Sequence, residues 1–455
     1  MKELLEKISS GRAVVGVIGL GYVGLPVSML NARKFKVVGY DIDTNVIHSL
    51  SQGLSVADSM PPGSLGSFIG KTFFPTSNES DLNACDIFVI CVPTPLGVHN
   101  EPDLNALREA ARLVARHLRK GALAILESTT YPGTTDSVLV PILEDTGMKA
   151  GLDFYVAYSP ERIDPGRADI ELEAIPKIVG GNDENSTVVA CQFLQASFKR
   201  VVPVNDCRTA EATKMLENIF RAVNIALVNE LTLALEKMDI NAWDVIEAAS
   251  TKPFGFMPFR PGPGIGGHCI PLDPYYFAYA ARRVGVPTRF IELSGDVNAF
   301  MPFHVVRLLS GALRVVGKKL SGSHVAVLGL SYKPNVSDTR ESPSAKVIDE
   351  IVRQGGAVET YDPLANGIQT ESGYFHSASS VEIALRDADA TVVLVDHSAF
   401  KELPESVFES LMGPNPVVLD CKNVFSAAPP GTFFVGLGKR ASRQTQPASR
   451  GAGLD

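Results

Sequence analysis

The run Ala13-Val14-Val15-Gly16-Val17-Ile18 and the Gly19-Leu20-Gly21-Tyr22-Val23-Gly24 that follows it constrain this chain more than any other stretch. An apolar run of that length reads as a strand buried on both faces of a parallel sheet. Gly19, Gly21 and Gly24 fit G-x-G-x-x-G in full, which supplies a tight turn, close approach of backbone to a pyrophosphate and close packing of a helix on the strand. The helix expected to about Lys34 would point its N-terminus at the phosphates. A second strand, Lys36-Val37-Val38-Gly39-Tyr40, ends in Asp41, about 20 residues past the glycines, where an acid takes ribose hydroxyls. Asp41 disfavours a 2′-phosphate, so NAD is preferred to NADP. Tyr22 and Val23 join the candidate cofactor contacts.

Residues 51–82 read as a loop with short irregular pieces. Further apolar strands then end in polar tips: residues 85–92 lead to Thr94, 123–126 to Glu127-Ser128-Thr129-Thr130, and 154–158 to Ser159-Pro160-Glu161-Arg162. Strand ends in an open parallel sheet face the ligand crevice, which makes Thr94, Ser128, Thr129 and Glu161 candidate contacts. Strand tips are also polar for ordinary reasons of exposure. An αβ unit over 176–205 completes this section.

From about Thr209 to Met238 there is no Gly or Pro. Leu216, Ile219, Phe220, Val223, Leu227 and Leu231 cover one broad face of the expected helix, and Ile225, Ala226 and Val228 widen it, the pattern of a buried helix. Lys214 and Asn218, four apart, share a face. A buried lysine persists when it has an anionic or developing-anionic partner; the alternative is a solvated lysine at an exposed edge. Beyond lies Phe259-Arg260-Pro261-Gly262-Pro263-Gly264-Ile265-Gly266-Gly267-His268-Cys269-Ile270-Pro271-Leu272-Asp273, whose glycines and prolines forbid a helix or central strand. Gly266 and Gly267 allow close backbone approach just before the thiol of Cys269. Cys269 is either a presented nucleophile or a plain core cysteine. Long linking helices on either side of this loop commonly make a dimer contact.

The third section repeats the first. Val325-Ala326-Val327-Leu328-Gly329-Leu330-Ser331-Tyr332 echoes residues 15–22, but Ser331 and Pro334 stand where Gly21 and Gly24 stood. The pyrophosphate fingerprint is lost and two cations are gained. Lys333 and Arg340 can hold a different phosphate compound, with Lys333 placed among the substrate contacts and Arg340 among the cofactor contacts. The expected fold is α/β, two Rossmann-like parallel-sheet domains joined by a helical middle domain with a long central helix. The boundaries are 1–205, 206–320 and 321–438, followed by a disordered tail at 439–455. Six scattered cysteines without a Cys-x-x-Cys pair point to a reduced, cytoplasmic enzyme, and a net charge of −8 argues against general nucleic-acid binding. No apolar run approaches the ~18–20 residues of a membrane span, and no His or Cys spacing suits a metal.

NAD on one sheet and a thiol between the two sheets frame a two-step oxidation. A thiol that adds to an aldehyde gives a thiohemiacetal; loss of a second hydride gives a thioester, and water releases an acid. Each tetrahedral species carries an oxyanion, for which Lys214 and Asn218 are suited. Hydrolysis needs a base, Glu161 or Asp273, with Thr129 helping to place a water.

Taken together, Gly19-Leu20-Gly21-Tyr22-Val23-Gly24, Pro160-Glu161, Lys214 with Asn218, Gly266-Gly267-His268-Cys269 with Asp273, and Asp338-Thr339-Arg340-Glu341-Ser342-Pro343 resemble the UDP-glucose/GDP-mannose dehydrogenase family, to about residue 438. The resemblance implies Cys269 as nucleophile, Lys214 steadying the oxyanion, Asp273 and Thr129 acting with a water, and Glu161 serving thioester hydrolysis. It also implies a homodimer on the middle helices and a C-terminal domain that binds UDP. The chain departs from the UDP-glucose pattern, with Arg162-Ile163-Asp164-Pro165-Gly166 after Glu161 and Leu272 where that pattern has lysine. The cysteine loop is most similar to members acting on UDP-N-acetylglucosamine to make the uronic acid of surface polysaccharides; UDP-N-acetylmannosamine or UDP-glucose are the alternatives. Arg162, Arg167 and Arg260 are either sugar or diphosphate contacts or solvated surface arginines. A one-step hydroxyacid dehydrogenase with a structural Cys269, and a non-catalytic nucleotide-sugar binding protein, are the competing readings; the set of Cys269, Lys214 and Glu161 speaks against the second.

Overall fold

The computed structural model describes residues 1–54, 64–97, 101–162, 171–267, 270–439 and 442–443. The chain forms two compact units, Met1–Ile219 with Leu272–Thr288, and Phe220–Pro271 with Arg289–Asp455.

In the first unit the described strands are β1 (Val14–Ile18), β2 (Lys36–Tyr40), β3 (Phe73–Thr76), β4 (Ile87–Ile90), β5 (Leu123–Leu126), β6 (Tyr155–Tyr158), β7 (Lys177–Gly181) and β8 (Val201–Pro203). They form one sheet in the order β3-β2-β1-β4-β5-β6-β7-β8. Neighbours run parallel except β6 and β7. The register pairs Ile18 with Tyr40 and Ile90, Ile90 with Leu126, and Leu126 with Tyr158. One sheet edge therefore presents Gly19, Asp41, Cys91, Glu127 and Ser159, the residues that follow these strand ends. The core on one face joins Val15, Val17, Val37, Ile87, Val89, Leu123 and Ile125 to Leu25, Met29 and Phe193 from helices. The expected loop at 51–82 contains β3, a short edge strand. Its Pro75 is tolerated there and hid the strand from periodicity.

The second unit contains β9 (His324–Leu328), β10 (Ala357–Tyr361), the hairpin β11 (Gly367–Thr370) and β12 (Gly373–His376), then β13 (Ala390–Val393), β14 (Val417–Asp420), β15 (Phe433–Gly436) and β16 (Ser442–Arg443). Its main sheet has the order β10-β9-β13-β14-β15-β16, parallel except for the last pair. Of the tail expected to be disordered, residues 442–443 supply β16, and most of the rest lies outside the described residues. The helix Arg289–Val315 packs Met301, Val305, Val306, Leu309 and Leu313 onto this sheet's core.

The expected long helix is Cys207–Lys237. Its expected burial all round does not hold. Leu216 is 67 % exposed and Leu227 59 %, with Phe220 and Leu231 also at the surface, because no described part of this chain covers that face. By length and composition alone this helix passes for a membrane span. Its buried Glu211, Lys214, Asn229 and Thr232 are instead partnered within the fold.

Candidate active site

The turn after β1 shows why each glycine stands where it does. A Cβ on Gly24 would lie 1.8 Å from the Gly19 carbonyl oxygen, so the helix Gly24–Ala32 can pack on the turn only through glycine. At Gly21 nothing lies within 4 Å of such a Cβ. The fold does not require glycine there; a ligand's close approach does, as a pyrophosphate at this turn would. Asp41 joins the turn to β2, its Oδ2 accepting the Leu20 N–H at 2.8 Å and its Oδ1 the Asp43 N–H at 2.9 Å. Tyr22 and Val23 are half-buried alongside. Thr94 donates to the Thr129 carbonyl at 2.7 Å, tying the tips of β4 and β5, and Ser128 is buried against the Ile90 carbonyl. These residues fit a dinucleotide, which when bound supplies the hydride acceptor. Gly21→Ala is expected to leave the melting temperature unchanged and weaken NAD binding about tenfold or more, whereas Gly24→Ala should destabilise the fold by about 1–3 kcal/mol or more. Calorimetric titration and thermal melts separate the two; equal affinity in Gly21→Ala would contradict the assignment.

Next along the same edge is a buried polar cluster. The Lys214 Nζ donates to the Glu161 carbonyl at 2.8 Å. One turn on, Asn218 donates through Nδ2 to Asp273 Oδ2. Asp273 opens the helix Asp273–Arg283 and is fully buried; its Oδ1 has no hydrogen-bond partner among the described residues. Burial pushes its carboxyl up to about 6, against the opposing pull of Lys214 and Asn218. Glu161 places Oε2 2.6 Å from Lys177 Nζ and accepts the Arg162 N–H on Oε1 at 2.7 Å. Lys177 also lies 3.1 Å from Glu127 Oε2. The cluster is thus a lysine poised on a backbone oxygen, a carboxyl that burial raises to about 6, and a second carboxylate held by a buried ammonium. It can steady an oxyanion and exchange a proton.

Asp273 carries a stability cost. A carboxyl whose folded pKa lies above its unfolded value favours folding at low pH, and that contribution is lost as pH rises from about 4 through about 6. Asp273→Asn should therefore gain on the order of 3 kcal/mol above pH 7 relative to the native chain, with the gain vanishing below pH 4. Denaturation across that range checks it, and a variant less stable at pH 8 would contradict it.

Arg162 spends its guanidinium inside the same unit, on Glu217 at 2.7 and 3.2 Å and on the Pro176 carbonyl at 2.7 Å. Five cysteines are described, at 85, 91, 191, 207 and 421, and none is bridged. Burial pushes every one of these thiols up, Cys85 to about 12, which makes them poor nucleophiles. Cys269 and His268 lie outside the described residues, as does Arg167.

In the second unit, Gly266 and Gly267 back onto the turn after β9. A Cβ on Gly266 would meet the Glu341 carbonyl and Tyr332 Cβ at 2.8 Å, and Gly267, at φ +90°, lies against the Tyr332 ring. Asp362 sits in the position of Asp41, its Oδ2 accepting the Leu330 N–H at 2.7 Å. Here the acid is enclosed: it also accepts from the Ser331, Leu364 and Ala365 N–H groups, and His397 lies 3.1 Å away. Those partners hold its carboxyl at about 2 although burial opposes the charge. The second turn keeps the scaffold of the first, with its acid turned to partners within the fold. Arg340 is forked onto Asp338 at 2.8 and 2.9 Å, Lys333 is half-buried on the same turn, and Arg260 lies over the Trp243 ring. Among the described residues no three His, Cys, Asp or Glu side chains are placed to hold a metal.

Residues 13–200, 208–299 and 326–427 match, in that order, the NAD binding, central and UDP binding domains of the UDP-glucose/GDP-mannose dehydrogenase family. The chain belongs to this family. It is 37 % identical over 436 residues to a UDP-N-acetyl-D-mannosamine dehydrogenase of Pyrococcus horikoshii, covering 93 % of this chain and 99 % of that one. It is 34 % identical over 415 residues to a UDP-N-acetyl-D-glucosamine 6-dehydrogenase of Pseudomonas aeruginosa, covering 90 % and 96 %. The solved structure of the UDP-D-ManNAc dehydrogenase from Pyrococcus horikoshii superposes with a TM-score of 0.86 at 35 % identity, covering 94 % of this chain and 99 % of that one. In this member of the UDP-glucose/GDP-mannose dehydrogenase family, the Gly19 turn and Glu161 fall in the NAD binding match. Lys214, Asn218 and Asp273 fall in the central match, and Lys333 and Arg340 in the UDP binding match. Sequence reasoning missed Lys177 as a partner of Glu161. The available signal was a charged residue opening an otherwise apolar strand, Lys177-Ile178-Val179.

Proposed function

We propose that the chain oxidises the C6 alcohol of a UDP-sugar to the uronic acid, passing two hydrides in succession to NAD, with UDP-N-acetylglucosamine as the substrate. The observation that carries this reading is the set of buried Lys214, Asp273 and Glu161 with half-buried Asn218, at the sheet edge that also bears the dinucleotide turn. A simple alcohol dehydrogenase has no use for a second proton-exchanging carboxyl beside an oxyanion donor. In this reading Cys269 adds to the intermediate aldehyde, Lys214 and Asn218 hold the oxyanion, and Asp273 with Thr129 places the water that Glu161 deprotonates. Gly266, Gly267, Lys333 and Arg260 meet the sugar nucleotide, and Arg340 serves the nucleotide side of the site. The three parts of the work fall to residues 1–205 for NAD, 206–320 for the cysteine loop and dimer contact, and 321–438 for UDP. Arg162, committed to Glu217, fits a role in holding the Glu161 segment better than a direct sugar contact.

The 37 % identity to a UDP-N-acetyl-D-mannosamine dehydrogenase favours that epimer as the second reading. Incubation with UDP-N-acetylglucosamine, UDP-N-acetylmannosamine and UDP-glucose in turn, following NADH, separates them. The fastest turnover is expected with the first; fastest turnover with the second moves the assignment to that epimer, and no NADH with any sugar sinks the reading. The exposed stripe Leu216, Phe220, Leu227 and Leu231 supports a homodimer through the long helix. A monomer mass in sedimentation at micromolar concentration contradicts that. The free, unbridged cysteines are in keeping with a cytoplasmic enzyme.

A further inference from the structure

One peptide group, between Glu161 and Arg162, carries two contacts of the site. Its carbonyl accepts from Lys214 Nζ at 2.8 Å, and its N–H donates to Glu161 Oε1 at 2.7 Å. A peptide group is planar, so a rotation that swings one of these contacts swings the other with it. The Arg162 side chain holds that plane from outside. Its guanidinium forks onto Glu217, with Nη2 2.7 Å from Oε1 and Nε 3.2 Å from Oε2, while Nη1 donates to the Pro176 carbonyl at 2.7 Å. Three segments of the first unit are thereby tied together: the tip of β6, the helix Cys207–Lys237 and the residue before β7.

Exposed ion pairs contribute little as a rule, but a bidentate arginine–carboxylate pair is the exception, and these side chains are only 27 % and 35 % exposed. Residues three apart on a helix are neighbours, so Lys214 and Glu217 reach the same strand tip from adjoining positions. An ammonium has three N–H donors. With one aimed at the Glu161 carbonyl, the other two are confined to directions that this carbonyl sets.

We propose that Arg162 and Glu217 are positioning residues for Lys214: their fork pins the peptide whose carbonyl aims the ammonium at the oxyanion. This rests on the proposed function, in which Lys214 steadies that oxyanion, and it extends Arg162 from holding a segment to setting the lysine. Without the fork the strand tip keeps its anchor at Ser159, whose hydroxyl donates to the Ile178 carbonyl at 2.7 Å. The Glu161–Arg162 peptide can then turn, and the ammonium follows it. Neither fork residue meets a ligand in this account, so the loss falls on kcat and kcat/KM together and leaves KM in place.

Arg162→Lys keeps the charge and loses the fork, while Glu217→Gln keeps the shape and loses the charge. Each should lower kcat about tenfold or more, with KM within about twofold of native. The decisive comparison repeats both changes in Lys214→Met. A fork that acts through the ammonium has nothing left to aim there, so either change should alter the residual kcat by less than about twofold. Full-length enzyme is given saturating NAD and whichever of the three UDP-sugars it turns over fastest; NADH is followed, and every variant is melted. An equal loss in both backgrounds would overturn the proposal. So would a raised KM at native kcat, which makes Arg162 a sugar contact, or a lowered melting temperature at native kcat, which leaves the fork to stability alone. If Arg162→Lys does not fold, Glu217→Gln in the two backgrounds decides. If native enzyme makes no NADH with any UDP-sugar, the proposed function fails and this proposal with it; native turnover with equal losses in both backgrounds sinks this proposal only.

Discussion

Lys214→Met is expected to lower kcat by about 10²–10³, the worth of one well-placed donor to an oxyanion. Methionine keeps most of the side chain's volume, so packing in the long helix changes little. What goes is the ammonium, whose Nζ now donates to the Glu161 carbonyl at 2.8 Å and counters the burial of Asp273. Two consequences separate this from a loss of stability. An interaction made chiefly in the transition state lowers kcat and kcat/KM together and leaves KM near its native value. The Asp273 carboxyl, already pushed up to about 6, should rise further once the cation is gone, so any step needing its ionised form should fade at a higher pH than in native enzyme. Leaving the Glu161 carbonyl without its donor costs about 1–3 kcal/mol of stability, which thermal melts would register. A folded variant with kcat within threefold of native removes Lys214 from the chemistry.

Cys269→Ala should abolish acid formation, by a factor larger than any other single change. Without the thiol no thiohemiacetal forms, the second hydride has no route, and no thioester can be trapped. The described cysteines cannot stand in for it, since burial holds Cys85 at about 12 and pushes Cys91, Cys191, Cys207 and Cys421 up as well. Intact-mass spectrometry of enzyme quenched during turnover should show a sugar-nucleotide adduct in the native chain and none in the variant. Uronic acid at near-native rate from Cys269→Ala, or from Cys269→Ser, favours the one-step reading in which the cysteine is structural.

Much of the fold was legible because strands buried on both faces advertise themselves. Runs such as Ile87–Ile90 and Leu123–Leu126 admit few other readings, and the Gly19 turn with Asp41 set the order of the first three elements of the nucleotide site. The weakening of that turn in the second repeat was equally plain at Ser331 and Pro334. Short edge pieces such as β3 were not legible, since a proline and a length of four residues leave no periodicity to count. The long helix misled for a different reason. An apolar face predicts burial, but it does not say whether the covering surface belongs to the same chain. Within the site, the shared face of Lys214 and Asn218 followed from their helical spacing, but their partners, the Glu161 carbonyl and the Asp273 carboxylate, did not, because both lie more than fifty residues away in the chain. Lys177 did not, because its partners Glu127 and Glu161 come from different strand ends and meet only through the sheet register.

The count of NADH formed per molecule of acid tests the central claim most directly. Native enzyme given limiting UDP-N-acetylglucosamine and excess NAD should yield two NADH for each uronic acid, with no free aldehyde accumulating. One NADH per substrate, with the aldehyde as the final product, would contradict a four-electron oxidation at this site.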